Sequence, residues 1–509
     1  MSTKQRFAHV TGWGSYAPSL VLTNHDLEAI VDTSDEWITS RTGIRERRIA
    51  AENETTASLG AVAGRRAVAV AGLDPSDIDL IVVATLTPDY WMPSTAALVK
   101  EAIGASRAAA MDVAAACSGF VFAYSVAHAH IVAGLARHVL VIGSEVLSRF
   151  LDYTDRNTCV LFGDGAGAVV LSLAETHGGA RGIDLTTEPS GAYKIWLPAG
   201  GAAAPASEDT ISGRRHFLRM DGRETYRFAT RTIASTALAA IDKAGWAPEF
   251  IDLLVPHQAN LRIIESVSKG IGFPMERIFI NLDRYGNTSA ASVPLALAEA
   301  VRTGRVHVGD RIVMVAFGAG FTSGAIAMEW TADPAASARA DAIGPEDVPV
   351  RIPDDWDSVG PLPPVLARAF AARGVDTSGP GVAVSLRLRR IDDAVAPDPP
   401  VAAPAPAVAG PEPGAASDPA VAVPPPASPG VPAPSAAPAP IPDPDPGPGR
   451  PARTDKGIAH AGSSESLDAG RSADAADPGV AGRSADAPDP GSTAAPDAAA
   501  HPARTEVTA

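Results

Sequence analysis

The sequence predicts an α/β protein built from two similar halves and followed by a long acidic tail. Three observations carry this. Short, wholly apolar runs alternate with Ala-rich or amphipathic stretches of helical spacing, the pattern of strands buried on both faces between helical layers. Residues 71–82 (AGLDPSDIDLIV) match residues 244–255 (AGWAPEFIDLLV) at an offset of 173, with seven of twelve positions identical. From Ala394 to the end there is no Phe, Trp or Tyr, and fourteen acidic residues face six basic ones; such a segment buries too little apolar surface to offset its chain entropy.

Taken in order, residues 7–18 read as a strand and a turn. A helix is expected from Asn24, a good N-cap residue. Residues 33–48 are polar and Arg-rich around Trp37. A helix over 55–72, a buried strand over 79–86 and a helix over 94–104 follow. The run 111–116 reads as a strand that stops at Cys117, where a helix begins with Phe120, Tyr124 and Ile131 as its large apolar residues. Another strand covers 139–143. In the second half, a strand over 251–255 leads to His257 and a helix over 260–272. Ile103-Gly104 recurs as Ile271-Gly272, each closing a helix. A strand over 278–282 is the expected counterpart of the one leading to Cys117, and it leads to Asn287. FGDGAGAVVL from Phe162 resembles FGAGFTSGAI from Phe317. The expected architecture is two α/β units with largely parallel sheets, related by a pseudo-twofold axis and divided as residues 1–175 and 176–332. Residues 333–393 form an extra segment without an assigned role, with a short helix over 365–373 and a strand over 382–390. Residues 394–509 are an expected disordered Pro/Ala-rich tail, with a near-repeat from Ala469 and Ala481.

Composition narrows the function. The formal charge of −16 argues against nucleic-acid binding. Two cysteines, Cys117 and Cys159, make no disulfide framework and fit a reducing compartment, hence the cytoplasm. The first ten residues hold no apolar signal region, and no apolar run is expected to reach the length of a membrane span.

A cysteine at a helix N-terminus sits among unpaired N–H groups and the positive end of the dipole, which favour the thiolate. Taken alone, a buried Cys is more often structural, a His after a strand a satisfied core residue, and an Asn after Tyr-Gly a turn former. Duplication changes this. Cys117 and Asn287 stand at matching junctions on opposite sides of the axis, and His257 follows a strand end, where α/β sheets present reactive groups.

DVAAACSGF around Cys117, VPHQAN around His257 and NLDRYGNTS around Asn287 resemble the Cys, His and Asn motifs of β-ketoacyl-acyl carrier protein synthase III, in the thiolase superfamily. TSDEWI, RTGIRER, FGDGAG and FGAGF resemble it too, so the likeness covers roughly residues 7–330. The resemblance implies a thiolase-like fold, two duplicated α/β halves in a layered α-β-α-β-α arrangement. It implies a decarboxylating Claisen condensation of an acyl-CoA with malonyl-acyl carrier protein, initiating fatty acid synthesis through an acyl-Cys117 intermediate. The N–H groups of Cys117 and Ala319 would hold the oxyanion, and His257 and Asn287 the enolate. No metal or redox cofactor is implied. Trp37, Arg41, Arg156 and Asn260 match CoA-contacting positions, and Arg262 a position that docks acyl carrier protein, its rim extended by Arg214, Arg215, Arg219 and Arg223. Leu218 and Met220 match acyl-pocket positions. Met92 matches the position from which the partner of a homodimer reaches that pocket. Two departures stand out: Ser323 replaces a frequent Trp, and the chain continues past Trp330. The alternative is a synthase III-like acyltransferase or priming ketosynthase of polyketide or secondary metabolism. Thiolases proper use a second cysteine in the C-terminal Gly-rich loop, which 317–324 lacks. His128 and His130 read as packing or surface, and Cys159 as inert core in an apolar strand.

Overall fold

A computed structural model describes residues 5–350 and 364–374. The first half runs β1 (Phe7–Tyr16), α1 (Thr56–Ala71), β2 (Leu80–Ala84), α2 (Thr95–Ile103), β3 (Ala109–Val113), α3 (Gly119–Ala133), β4 (His138–Glu145) and β5 (Gly165–Ala174). The second runs β6 (Gly179–Thr187), α4 (Gly222–Lys243), β7 (Leu253–Pro256), α5 (Leu261–Ile271), α6 (Ser292–Arg302), β8 (Arg311–Gly318) and β9 (Thr322–Glu329).

The first sheet is ordered β1-β5-β4-β2-β3 and the second β6-β9-β8-β7. They match strand for strand, and in direction: β4–β2 and β8–β7 are parallel, while β5–β4, β9–β8, β1–β5 and β6–β9 are antiparallel. The sheets are therefore mixed, not largely parallel. Parallel neighbours need a crossover helix, and only three residues join β8 to β9. The counterpart of β3 is reduced to one parallel bridge, Leu254 with Ile278, in place of the expected strand over 278–282. There the Asn281 N–H donates to Gln258 Oε1 at 3.1 Å, so a side chain takes the donor a ladder would use.

Ladder register also corrects one expected match. Ile142 pairs with Ala168 and Val315 with Ala325, so Phe162 and Phe317 are not equivalent; their motif is out of register by two residues. A shift of two keeps every side chain on its own face, so the apolar pattern does not reveal it.

Five layers result. Helices α1 and α2 cover the outer face of the first sheet, α4 with α5 beside it covers the outer face of the second, and α3 and α6 lie between the sheets. In the middle layer Phe120, Tyr124, Ile131, Val293 and Leu297 are fully buried. Truncating Phe120 to Ala there costs about 3–5 kcal/mol. The stretch Ala116–Ala133 is, contrary to expectation, long and apolar enough to cross a membrane. A helix apolar all round needs burial, and two sheets supply it.

Local signals set the ends. Thr55 and Ser58 form a capping box for α1. The repeated Ile-Gly pair closes α2 and α5 with Gly104 and Gly272 at φ 76° and 71°. The helix at Asn24–Glu28 is capped by Thr23, not Asn24. The Asn24 amide instead donates to Asp35 and the Ile44 carbonyl, and its oxygen accepts from Arg47. The Arg-rich stretch thus divides: Arg47 and Arg48 are core, Arg41 and Arg45 exposed.

Each half enters its middle helix through the same elbow. Short 3-10 turns, Ala116–Ser118 and Ser289–Ala291, precede α3 and α6, and Ala116 and Ser289 hold φ of 50° and 49°. These turns, the starts of α3 and α6, and the strands β4 and β8 all stand at the same 173-residue offset.

Beyond Trp330 the chain packs back on the first half. Trp13 Nε1 donates to Ser337 Oγ at 3.0 Å, Arg66 Nε to the Ile343 carbonyl at 2.9 Å, and Arg339 to the Val70 carbonyl at 3.0 Å. The expected helix over 365–373 is α7 (Pro364–Ala371), with Leu366 and Phe370 buried. It contacts the turn Leu147–Phe150. The expected strand over 382–390 and the tail from 394 lie outside the described residues.

Candidate active site

Cys117, His257 and Asn287 line one cavity of about 340 Å³, together with Asn260, Leu218, Met220 and Ala319. The remaining walls are mostly apolar, among them Leu147, Phe162, Ile263 and Phe317. Cys117 sits in the elbow before α3, His257 follows β7, and Asn287 precedes the second elbow. The end of β8 closes on the nucleophile's backbone: a Cβ placed on Gly318 would stand 2.6 Å from the Cys117 nitrogen. Only Gly permits that approach, and it brings Ala319 to the same wall.

The thiol is not the thiolate the helix terminus suggested. Burial pushes it up to about 12; a hydrogen bond with the Ser289 hydroxyl lowers it, and the Glu145 carboxylate raises it again. Desolvation outweighs the terminus. Burial also takes His257 down to about 3. Cys117 and His257 therefore rest as a neutral pair at neutral pH.

Hydrogen bonds orient the donors. His257 Nδ1 meets Ser292 Oγ at 2.6 Å, and Phe317 packs edge-on against the ring, centroids 5.2 Å apart. A Ser292 hydroxyl donating to Nδ1 fixes the tautomer with the proton on Nε2. The Asn287 oxygen accepts the Ser289 N–H at 2.9 Å, which leaves its amide N–H groups as the donors still to be used. The set can stabilise one developing oxyanion without a metal. Among the described residues no group of three or more His, Cys, Asp or Glu could hold a metal ion.

Four expected residues lie outside this cavity, on the outer face beside Asn260. Arg41 and Arg156 flank Trp37, their guanidinium carbons 4.7 and 5.1 Å from its ring centre. The Asn260 amide donates to the Arg41 carbonyl at 3.1 Å, and Arg262 to the Ser40 carbonyl at 2.8 Å. Together these residues form a cationic, aromatic rim.

The sequence matches the description 3-oxoacyl-acyl-carrier-protein synthase III over residues 111–189, and the C-terminal part of that family over 241–330. It is 48% identical to the β-ketoacyl-acyl-carrier-protein synthase III of Caldanaerobacter subterraneus subsp. tengcongensis, over 64% of this chain and 98% of the relative. It is 50% identical to that of Symbiobacterium thermophilum, over 64% and 99%. The chain belongs to the β-ketoacyl-acyl carrier protein synthase III family. Among solved structures, the synthase III of Aquifex aeolicus superposes with a TM-score of 0.59 at 44% identity, covering 64% of this chain and all of that one. The priming β-ketosynthase of the R1128 polyketide pathway superposes with 0.61 at 36%, covering 66% and 99%.

Met92, expected to reach the pocket of a partner subunit, does not line the cavity of its own protomer and is 83% exposed, with Trp91 beside it. As a synthase III, the chain departs from expectation at several positions. Cys159 lies in the short helix Arg156–Cys159, not in a strand, and its buried thiol is pushed up to about 12. Its strand-like apolar sequence instead joins the buried core that also holds Ile44 and Leu151. Ser323, where the family often has Trp, is buried in β9 against the Thr236 hydroxyl at 3.2 Å. On the basic rim, Arg214 is paired with Asp152, while Arg215, Arg219 and Arg223 are exposed. Sequence reasoning missed Ser292, Ser289 and Glu145. The 173-residue offset could have found Ser289, as the mate of the residue before Cys117.

Proposed function

We infer that this synthase III condenses an acyl-CoA with malonyl-acyl carrier protein, releasing CoA and CO2 and giving a 3-oxoacyl-carrier protein that initiates fatty acid synthesis. The observation that carries this is the convergence of Cys117, His257 and Asn287 on one apolar cavity. Cys117 attacks the acyl-CoA carbonyl and holds the acyl group as a thioester. The N–H groups of Cys117 and Ala319 hold the oxyanion. Decarboxylation of the malonyl group then places charge on its thioester oxygen, where His257 Nε2–H and the Asn287 amide donate. Both donors are neutral and fixed beforehand, so they cost little reorganisation as charge forms. The resulting carbon nucleophile attacks the acyl-Cys117 carbonyl and expels the thiolate.

Leu218 and Met220 bound the acyl chain. Trp37, Arg41, Arg156 and Asn260 take the nucleotide and pantetheine arm of CoA; an adenine stacking on Trp37 would displace one guanidinium. Arg262 meets the acidic carrier protein. The protein works as a homodimer in the cytoplasm. β3 is the partly exposed edge of its sheet, with Trp91 and Met92 exposed nearby, and a second copy would cover this face. Both cysteines are unpaired, as a reducing compartment requires.

Priming of a polyketide chain is the second reading, favoured by the likeness to the R1128 ketosynthase. Incubation of a panel of acyl-CoAs with malonyl groups on a fatty-acid and on a polyketide acyl carrier protein tests both: 3-oxoacyl product on the fatty-acid carrier supports the first. Decarboxylating condensation confined to the polyketide carrier supports the second.

A further inference from the structure

The chain past Trp330 has no part in the chemistry above, yet it returns to the wall of the acyl cavity. In α7, Leu366 and Phe370 stand one helical turn apart and are buried, while Arg368 and Ala371 are exposed. The principal neighbour of α7 is the turn Leu147–Phe150, and the two have Cα atoms within 8 Å of each other. Leu366 and Phe370 belong to the same buried apolar cluster as Leu147, and Leu218 packs against that cluster. The segment also reaches this turn earlier: Val350 and Phe150 line one small cavity of about 210 Å³, together with Thr87 and Arg149.

The same turn forms part of the active-site cavity. Leu147 and Phe150 line it with Cys117, and the Phe150 carbonyl accepts the Leu218 N–H at 2.8 Å. No α7 residue lines that cavity, so the helix meets the turn from behind. The two residues between Leu147 and Phe150 are held by hydrogen bonds. Ser148 Oγ donates to Asp164 at 2.6 Å, and the Arg149 guanidinium donates to the Ala51, Glu52 and Glu54 carbonyls at 2.9, 3.0 and 2.6 Å. The Leu147 and Phe150 side chains have no polar atom to anchor, so they are held by packing alone. Such a wall keeps its shape while its far side is filled, and yields where a void opens behind it.

We propose that α7 is the outer support of the acyl site, and that Leu366 and Phe370, by backing Leu147 and Phe150, limit the length of acyl chain the cavity takes. The substrate class so selected is a short-chain acyl-CoA. This rests on the acyl-Cys117 reading above. Leu366 and Phe370 do not touch the substrate; they are positioning residues that act through the wall. Truncating either one leaves a void behind the turn, the wall yields toward it, and the cavity admits a longer chain. The groups that do the chemistry, Cys117, His257 and Asn287, stay as they are.

The test is condensation by the full chain, Phe370→Ala, Phe370→Leu and Arg368→Ala with acetyl-, butyryl-, hexanoyl- and octanoyl-CoA, beside malonyl-carrier protein decarboxylation without acyl-CoA. The unaltered chain favours acetyl-CoA over octanoyl-CoA. In Phe370→Ala the ratio of kcat/KM for octanoyl-CoA to that for acetyl-CoA rises about tenfold, while decarboxylation stays within about twofold of the unaltered rate. Phe370→Leu restores most of the original preference, and Arg368→Ala, on the exposed face, leaves it unchanged. Where Phe370→Ala does not fold, Leu366→Val carries the same test with a rise of about threefold. A chain-length ratio unchanged in the folded variant overturns the proposal, whether or not the thermal midpoint falls, because α7 then supports the fold alone. If the unaltered chain takes no acyl group from any acyl-CoA, the acyl-Cys117 reading fails and the proposal with it, a result distinct from an acylated chain whose ratio does not move.

Discussion

Ala116 and Ser289 occupy the same place in the two halves, 173 residues apart, and both hold a left-handed backbone near +50°. That conformation is costly for residues with a Cβ and persists where packing over-determines it. In one half the strained elbow aims Cys117 into the cavity. In the other it turns the Ser289 N–H back onto Asn287. A duplicated scaffold has been given two different chemical tasks.

The elbows make a paired prediction. Gly318→Ala drives a methyl against the Cys117 nitrogen, so acylation falls at least tenfold and the thermal midpoint drops. Ala319→Gly keeps the backbone donor and leaves acylation within a few-fold. Thioester formation and thermal melts check both.

In the proposed mechanism His257 and Asn287 act on one oxygen, and both line the same cavity. Either one changed to Ala lowers malonyl-carrier protein decarboxylation about 10²–10³-fold, the usual loss for one oxyanion donor. The double variant loses less than the product of the two, because residues acting as a unit are not additive. Release of CO2 measures this.

The depressed pKa of His257 has a stability consequence. Its folded value, about 3, lies below the unfolded 6.5. Neutral burial of the ring therefore contributes stability that is full above pH 6.5 and is lost as pH falls toward 3. His257→Gln melts with a shallower decline over that window. Melting temperature against pH is the check.

In the proposed CoA site, Trp37→Ala removes a contact made alike in ground and transition states. KM for acyl-CoA rises about tenfold while kcat holds. Malonyl-carrier protein decarboxylation, which needs no CoA, keeps its rate.

Much of this was legible in the chain. The self-match between residues 71–82 and 244–255 carried the duplication, and the junction residues Cys117, His257 and Asn287 carried the cavity. The mixed sheet was not legible, because a buried strand reads the same whichever way its neighbour runs. The thiol's state was not legible either: the sequence displays a helix terminus but not the desolvation that outweighs it. Glu145 was missed because an apolar strand gives no sign of which polar residue at its end is buried.

The central claim is that Cys117 carries the acyl group in a cavity it shares with His257 and Asn287. Intact-protein and peptide mass spectrometry after incubation with acyl-CoAs tests it most directly. The account predicts one acyl adduct, on Cys117, absent in Cys117→Ala and discharged by malonyl-acyl carrier protein. No adduct with any acyl-CoA, or an adduct on Cys159 alone, would contradict it.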